Sequence, residues 1–67
     1  MISVNINGKS RLLEKGYRLD HLLEELGFAG ARIAVELNES VVPASCHVET
    51  YLSEGDQIEI VHAIGGG

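Results

Sequence analysis

The last five residues of the chain, Ala63-Ile64-Gly65-Gly66-Gly67, could take part in chemistry through their main chain rather than through side chains. Three consecutive glycines lose a large amount of backbone entropy when ordered and contribute no side chain to a core, so stability does not explain them. A glycine run that ends in an unhindered α-carboxylate suits entry into a narrow enzyme site, where Gly67 would be modified. The alternative is a frayed end without function.

Other reactive side chains are few and badly spaced for a site. Cys46 and the three histidines, at positions 21, 47 and 62, form no C-x-x-C or H-x-x-x-H pattern. One cysteine cannot hold an iron–sulfur cluster. No lysine or arginine adjoins Cys46 to favour a nucleophilic thiolate, and the acidic residues are too dispersed for paired acid–base work. The sequence therefore predicts no metal site and no catalytic side chain.

Length and charge restrict the function further. A chain of 67 residues forms one domain with a small core, which favours a carrier, an inhibitor or a binding module over a free-standing enzyme. Ten acidic against five basic residues give a net charge of -5, which repels nucleic acid and attracts a partner with a basic docking face. With no signal peptide, no membrane-spanning stretch and a single cysteine, we expect a cytoplasmic protein without a membrane or nucleic-acid partner.

The first fifth of the chain has the pattern of a hairpin. Apolar and polar residues alternate over residues 2–7, which is typical of a half-buried strand. Asn7-Gly8 follows, and this pair strongly favours a two-residue hairpin turn because both turn residues need positive φ. Residues 9–14 should return antiparallel to the first strand. Leu12 and Leu13 are adjacent, and the pattern does not decide which of them faces the core.

A single amphipathic helix comes next. Its apolar stripe consists of four leucines at helical spacing: Leu19, Leu22, Leu23 and Leu26. Gly27 is placed to take the left-handed conformation that ends a helix, with Phe28 making the accompanying apolar contact. Arg18 is a poor residue for the N-terminal cap.

Two or three further strands follow the helix. Residues 33–37 alternate again, and Asn38-Glu39-Ser40 turns into a short Val41-Val42 strand that Pro43 ends, as suits a sheet edge. Residues 44–53 have no clear period. Leu52 is expected to be the core residue there, with Val48 or Tyr51 beside it.

The last strand begins after a turn at Gly55-Asp56 and covers residues 57–62. Alternation places Ile58 and Ile60 on one face of this strand and Glu59 and Val61 on the other. Val61 and His62, just before the glycine run, are candidate partner-docking residues, together with Ile64.

One helix lying across one mixed sheet is the economical way to bury these stripes. The predicted fold is therefore α+β, a β-grasp (ubiquitin-like) ββαββ arrangement whose last strand is central beside the first. Residues 1–62 form the domain, and residues 63–67 form a flexible C-terminal tail.

Several segments together resemble a known family, the thiamine-biosynthesis sulfur carriers (ThiS). They are the Asn7-Gly8 hairpin, the helix D-H-L-L-E-E-L-G at 20–27, V-E-L-N at 35–38, Val42-Pro43, the Leu52…Gly55-Asp56 turn and E-I-V-H-A-I-G-G-G at 59–67. The resemblance covers essentially the whole chain. The departures are Arg18, where a capping Ser or Thr is common, Asn38-Glu39 in place of Asn-Gly, and Gly65, which extends the family's glycine pair.

The resemblance implies a specific chemistry for the tail. An adenylating (E1-like) enzyme uses ATP and magnesium to turn the carboxylate of Gly67 into an acyl-adenylate. A sulfur donor, ultimately a cysteine persulfide made by a desulfurase, converts it to a thiocarboxylate, and thiazole synthase takes the sulfur. Ala63, Ile64, Gly65 and Gly66 would be threaded into these enzymes. The chain itself binds no cofactor and supplies no catalytic side chain.

Three other readings stay open. The small subunit of molybdopterin synthase is also a β-grasp protein that ends in Gly-Gly, although such chains are usually longer. A ubiquitin-like modifier conjugated to lysine shares the same activation chemistry. A protein-binding β-grasp module with an inert tail belongs to a different functional class.

Overall fold

The computed structural model describes residues 1–62, which form a five-stranded sheet and a short α-helix. In chain order the elements are β1 (Ile2–Ile6), β2 (Lys9–Leu13), α1 (Leu19–Glu25), β3 (Ile33–Leu37), β4 (Ser40–Val42), a 3₁₀ helix (Ala44–Glu49) and β5 (Gln57–His62). The strand order is β2-β1-β5-β3-β4, with β5 parallel to β1 and antiparallel to β3. This confirms the α+β, β-grasp prediction. Three strands follow the helix, and the short β4 lies at the edge.

The first hairpin turns as the sequence predicts. Asn7 and Gly8 have φ values of 49° and 86°, the signs that a type I′ turn requires. The register pairs Ile2 with Leu13, which places Leu13 on the helix side of the sheet. Leu13 is accordingly buried, whereas Leu12 is 67% exposed on the opposite face. The hairpin register therefore settles the choice that the sequence left open.

Helix α1 is fixed by its leucines and by its C-terminal end. Leu19 and Leu22 are fully buried. The Phe28 amide donates to the Leu23 carbonyl at 2.8 Å, and the Gly27 amide donates to the Glu24 carbonyl at 3.1 Å. With Gly27 at φ 86°, these bonds make the predicted Schellman ending.

At its N-terminus, α1 has no side-chain cap. The helix begins after Arg18, whose side chain makes no capping hydrogen bond. Arg18 instead pairs with Asp20, with Nε 3.1 Å from Oδ1.

The core lies between α1 and one face of the sheet. Its buried side chains are Ile2, Val4, Leu13, Leu19, Leu22, Leu23, Val35, Leu52, Ile58 and Ile60. Alternation along the strands leaves the other face of the sheet, the open face, to Ser3, Leu12, Ala34, Glu36, Val41, Glu59 and Val61. Leu52 is in the core as predicted.

The prediction of Val48 or Tyr51 as core partners of Leu52 is wrong. Val48 is 54% exposed and Tyr51 62% exposed. Val48 lies in the 3₁₀ helix, none of whose residues is buried. Tyr51 pairs with Arg18 in an isolated bridge, so its extended backbone directs Leu52 inward and Tyr51 outward.

Within residues 1–62 no helix is both long enough and apolar enough to cross a membrane.

Candidate functional site

Strand β5 carries the chain to the predicted tail. It is paired with β3 as far as the Ile33–His62 pair. Its pairing with β1 covers only Asn5–Gln57 and Ile6–Ile58, because β1 turns away at Asn7. The C-terminal half of β5 therefore extends past the first hairpin. Ala63, Ile64, Gly65, Gly66 and Gly67 lie outside the described residues, so their roles in threading and modification stay predictions.

The Asn7 side chain continues the sheet where β1 ends. Its Oδ1 accepts a hydrogen bond from the Ile60 amide at 2.8 Å, and its Nδ2 donates to the Ile60 carbonyl at 3.1 Å. Sequence reasoning identified Asn7 as a turn residue only. A signal was available, since Asn is the turn former whose side chain can also replace a backbone partner.

A second asparagine holds the other end of β5. Asn38 Oδ1 accepts from the Gln57 amide at 2.9 Å, and Nδ2 donates to Asp56 Oδ1 at 3.0 Å. Asp56 is buried, and its Oδ2 accepts from the Ser53 amide at 2.7 Å. The central strand is thus anchored at both ends by asparagines that occupy the first position of a tight turn. Sequence reasoning missed this arrangement as well.

The two predicted docking residues lie on opposite sides of the sheet. Val61 is on the open face, beside Ala34 of β3, and is 56% exposed. The ring of His62 points to the helix side, where it meets Phe28 edge-on with ring centroids 5.6 Å apart. One flat partner surface therefore cannot contact both side chains through the same face.

Val61 belongs to a mixed apolar and acidic surface. We call it the open-face patch and define it as Ala34, Val41 and Val61 with Glu36 and Glu59. Val41 is 70% exposed. Glu36 lies directly across from Glu59 and, on its other side, from Val41. Like charges opposite each other destabilise a sheet, so the Glu36–Glu59 pair does not serve the stability of the fold.

The candidate metal ligands and nucleophile are not assembled into a site. Cys46 is partly buried in the 3₁₀ helix. His47 Nε2 lies 3.1 Å from the Val42 carbonyl, to which it donates when that nitrogen carries the proton. In the part of the chain that the structure describes, no three side chains of the metal-binding types lie close enough to hold an ion.

A polar network joins β2 to α1. Glu25 accepts hydrogen bonds from the Tyr17 hydroxyl and from Arg11, whose Nη2 lies 2.9 Å from Oε1. Both bonds lower the pKa of Glu25, and the bond from Tyr17 has the larger effect. The same bond to Glu25 raises the pKa of Tyr17. The Tyr17 ring also stacks on His21, with centroids 4.6 Å apart.

Comparison with known proteins gives a consistent result. Residues 4–67 match the model of the ThiS family. The crystal structure of a thiamine biosynthesis protein (ThiS) from Geobacter metallireducens superposes with a TM-score of 0.85 at 29% sequence identity, covering 98% of this chain and 100% of that one.

Curated relatives fall into two kinds. A thiazole synthase of Magnetococcus marinus is 44% identical over 66 residues, which are 98% of this chain and 20% of that protein. The protein ycf40 of Pyropia yezoensis is 39% identical over 66 residues and is covered to 93%. The chain therefore spans about one fifth of the length of the thiazole synthase and nearly the whole of the second relative.

Proposed function

Because the chain belongs to the ThiS family, we propose that it is a sulfur carrier of thiamine biosynthesis in which the carboxylate of Gly67 carries the sulfur. The observation that carries this proposal is the extent of the family match, which runs through residue 67 and so includes the glycine run. The described domain supports the proposal because its central strand, β5, ends at His62, and only Ala63 and Ile64 separate it from that run in the sequence.

The proposed chemistry starts at the carboxylate of Gly67, which is a poor electrophile. An adenylating enzyme joins the Gly67 carboxylate to AMP from ATP and releases pyrophosphate, with magnesium held by the enzyme and its substrate. The acyl-adenylate has a good leaving group, so the terminal sulfur of a cysteine persulfide attacks the carbonyl and displaces AMP. Two electrons from a thiol then break the sulfur–sulfur bond and leave a thiocarboxylate. We propose the cytoplasm as the location, since it supplies the ATP and the reducing thiols that this reaction consumes.

The glycines and the domain have separate parts in this scheme. Gly66 and Gly67 lack Cβ atoms, so a narrow channel admits the chain and the terminal carbonyl stays open to attack. The domain contributes binding energy at a distance from the reacting atom, which orients that carbonyl. We assign the binding to the open-face patch, because it combines exposed apolar side chains with carboxylates that a basic partner would attract.

Thiazole synthase is the proposed acceptor of the sulfur. In the Magnetococcus marinus protein of that name, a region 44% identical to this chain is part of a polypeptide about five times as long. Covalent linkage gives two modules a high effective concentration. The presence of such a linkage in a relative supports a functional partnership between a domain of this type and thiazole synthase. The names of the family and of these relatives, ThiS and thiazole synthase, favour the thiamine pathway over molybdopterin synthesis.

The reaction is tested by intact mass spectrometry. We expect the chain, incubated with an adenylating enzyme, ATP, magnesium and a persulfide donor, to gain the mass difference between sulfur and oxygen. Gly67→Val should prevent this gain, because its branched Cβ blocks the channel and the carbonyl, while the circular dichroism spectrum stays unchanged. An unmodified wild-type chain under conditions that modify a known carrier would contradict the proposal and favour an inert binding module.

The pathway is tested by genetic rescue. Expression of the chain should restore growth of a thiamine auxotroph that lacks its own carrier, and should not rescue a strain that lacks the small subunit of molybdopterin synthase. The reverse result would assign the chain to molybdenum cofactor synthesis.

The docking surface is tested with two valines of nearly equal exposure. Val61 on the open face is 56% exposed, and Val48 in the 3₁₀ helix is 54% exposed. We expect Val61→Ser to raise the KM of the adenylating enzyme for the chain by about 5- to 10-fold, which corresponds to roughly 1 kcal/mol of lost apolar contact. Val48→Ser should leave KM unchanged. Equal effects of the two substitutions would remove the open-face patch from the interface.

A further inference from the structure

The hydrogen bonds between Asn7 and Ile60 lie where β5 loses its neighbour. In a parallel ladder the hydrogen-bonding groups of one strand meet the partner at every second residue. Here the Asn5 amide donates to the Asp56 carbonyl at 2.9 Å, and the Asn7 amide donates to the Ile58 carbonyl at 2.9 Å. The next groups of β5 in this series are the amide and carbonyl of Ile60. The main chain of β1 cannot meet them because it turns away at Asn7.

The Asn7 side chain supplies both missing partners. Its amide group presents one acceptor and one donor, as a backbone peptide would, and it binds the Ile60 amide at 2.8 Å and the Ile60 carbonyl at 3.1 Å. Ile60 is only 5% exposed, so its backbone groups have little access to water. If these groups were unpaired, this part of the strand would be less stable and would open more often.

This contact lies next to the last described residues before the predicted tail. On the β3 side, β5 is paired up to His62, but on the β1 side the ladder ends at Ile58. Within residues 1–62, the Asn7 side chain is what extends the pairing of β5 on the β1 side beyond Ile58. One residue, Val61, separates Ile60 from His62, and residues 63–67 follow His62 in the sequence.

We propose that Asn7 is a positioning residue: its side-chain amide locks the end of β5 and so fixes the direction of the main chain at His62, the residue from which the glycine tail continues. The consequence for transfer rests on the proposed function. A partner that must bind the open-face patch and receive the tail at once needs the two in a fixed relation. When only a fraction of molecules has the competent exit direction, the apparent affinity falls by that fraction. The chemistry after binding is unaffected.

Asn38 provides a matched control. It occupies the same turn position, with φ 52° against 49° for Asn7, and it also makes two side-chain hydrogen bonds at the β5 edge. Its bonds involve Asp56 and Gln57, at the start of the strand. Glycine accepts positive φ at either site, so Asn7→Gly and Asn38→Gly keep the turns and remove only the side-chain amides.

The experiment measures amide hydrogen exchange and transfer kinetics on the full chain. The Val61 amide points toward β3 and does not touch Asn7, because backbone groups alternate along a strand. We expect Asn7→Gly to speed exchange at Val61 about 5- to 10-fold, the effect of losing one or two hydrogen bonds. The KM of the adenylating enzyme for the chain should rise by a similar factor, with kcat within about twofold. Asn38→Gly should change neither value, although it lowers the unfolding midpoint to a similar degree.

Two results would overturn the positioning role. One is equal Val61 exchange in the two variants. The other is a rise in KM that follows the unfolding midpoint in both. If the wild-type chain accepts no sulfur, the proposed function fails by itself, and the exchange comparison still decides whether Asn7 holds the end of β5.

Discussion

At the residue scale, Glu39 has a left-handed backbone conformation that glycine adopts more readily. It has φ 71° in the turn between β3 and β4, where the left-handed region costs a residue with a Cβ about 1–2 kcal/mol. We expect Glu39→Gly to stabilise the fold by about 0.5–1 kcal/mol, because relief of this strain exceeds the added entropy of the unfolded chain. Urea unfolding at neutral pH measures the change.

The control for Glu39 separates backbone strain from charge. Glu39→Ala removes the same carboxylate but keeps a Cβ at positive φ, so its stability should stay near that of the wild type. A gain as large as that of the glycine variant would assign the effect to charge repulsion and contradict the role of φ.

At the element scale, β2 and α1 are linked by a group that titrates. The lowered pKa of Glu25 means that its contribution to stability is present above the ordinary carboxyl range and is lost as pH falls through the folded pKa. The raised pKa of Tyr17 gives the opposite dependence: its contribution is present below about pH 10 and is lost as pH rises through the folded value.

Tyr17→Phe tests this link because it removes the hydroxyl and keeps the ring. We expect the wild type to be the more stable protein near neutral pH. The difference should shrink below about pH 4 and again above about pH 10, as measured by urea midpoints across the pH range. A difference between the two proteins that is independent of pH would mean that ring packing, rather than the hydrogen bond to Glu25, joins the two elements.

At the scale of the whole molecule, charge is unevenly distributed. Four of the five basic residues fall within residues 9–18, while nine of the ten acidic residues lie outside that segment. The acidic part includes the Glu36–Glu59 pair of the open-face patch, whose direct opposition costs the fold about 0.2–1 kcal/mol. A basic partner that covers this pair would interact favourably with both carboxylates.

The double variant Glu36→Gln/Glu59→Gln should therefore raise stability while slowing reaction with the adenylating enzyme. We expect kcat/KM to fall about 3- to 10-fold at low salt and the difference to vanish at high salt, where charges are screened. Glu14→Gln/Glu24→Gln changes the net charge equally, away from the patch, and should have little effect. Equal losses for the two double variants would mean that net charge alone guides the encounter.

The main elements of the fold could be predicted from the sequence because each has a signal within a short segment of the chain. Asn7-Gly8 dictated the hairpin, the leucine spacing with Gly27 and Phe28 dictated the helix and its end, and alternation dictated β3 and β5. Each of these features depends on the φ preference of single residues or on the burial of one face of an element. Both are set by residues close together in the sequence. The predictions for Val48 and Tyr51 failed because residues 44–53 have no clear period, so neither the 3₁₀ helix around Val48 nor the isolated bridge at Tyr51 has a local signal.

What only the tertiary structure decided depends on residues distant in the chain. The choice between Leu12 and Leu13 needed the hairpin register, and the contact of His62 with Phe28 needed the position of the helix end relative to β5. The asparagine contacts with Ile60 and Gln57 join positions 53 and 19 residues apart. Hydrogen bonds of this kind follow from which strands become neighbours, and strand order is a property of the whole fold. The sequence by itself therefore determined the α-helix, the strands and the family, while the packing determined how the end of β5 is held.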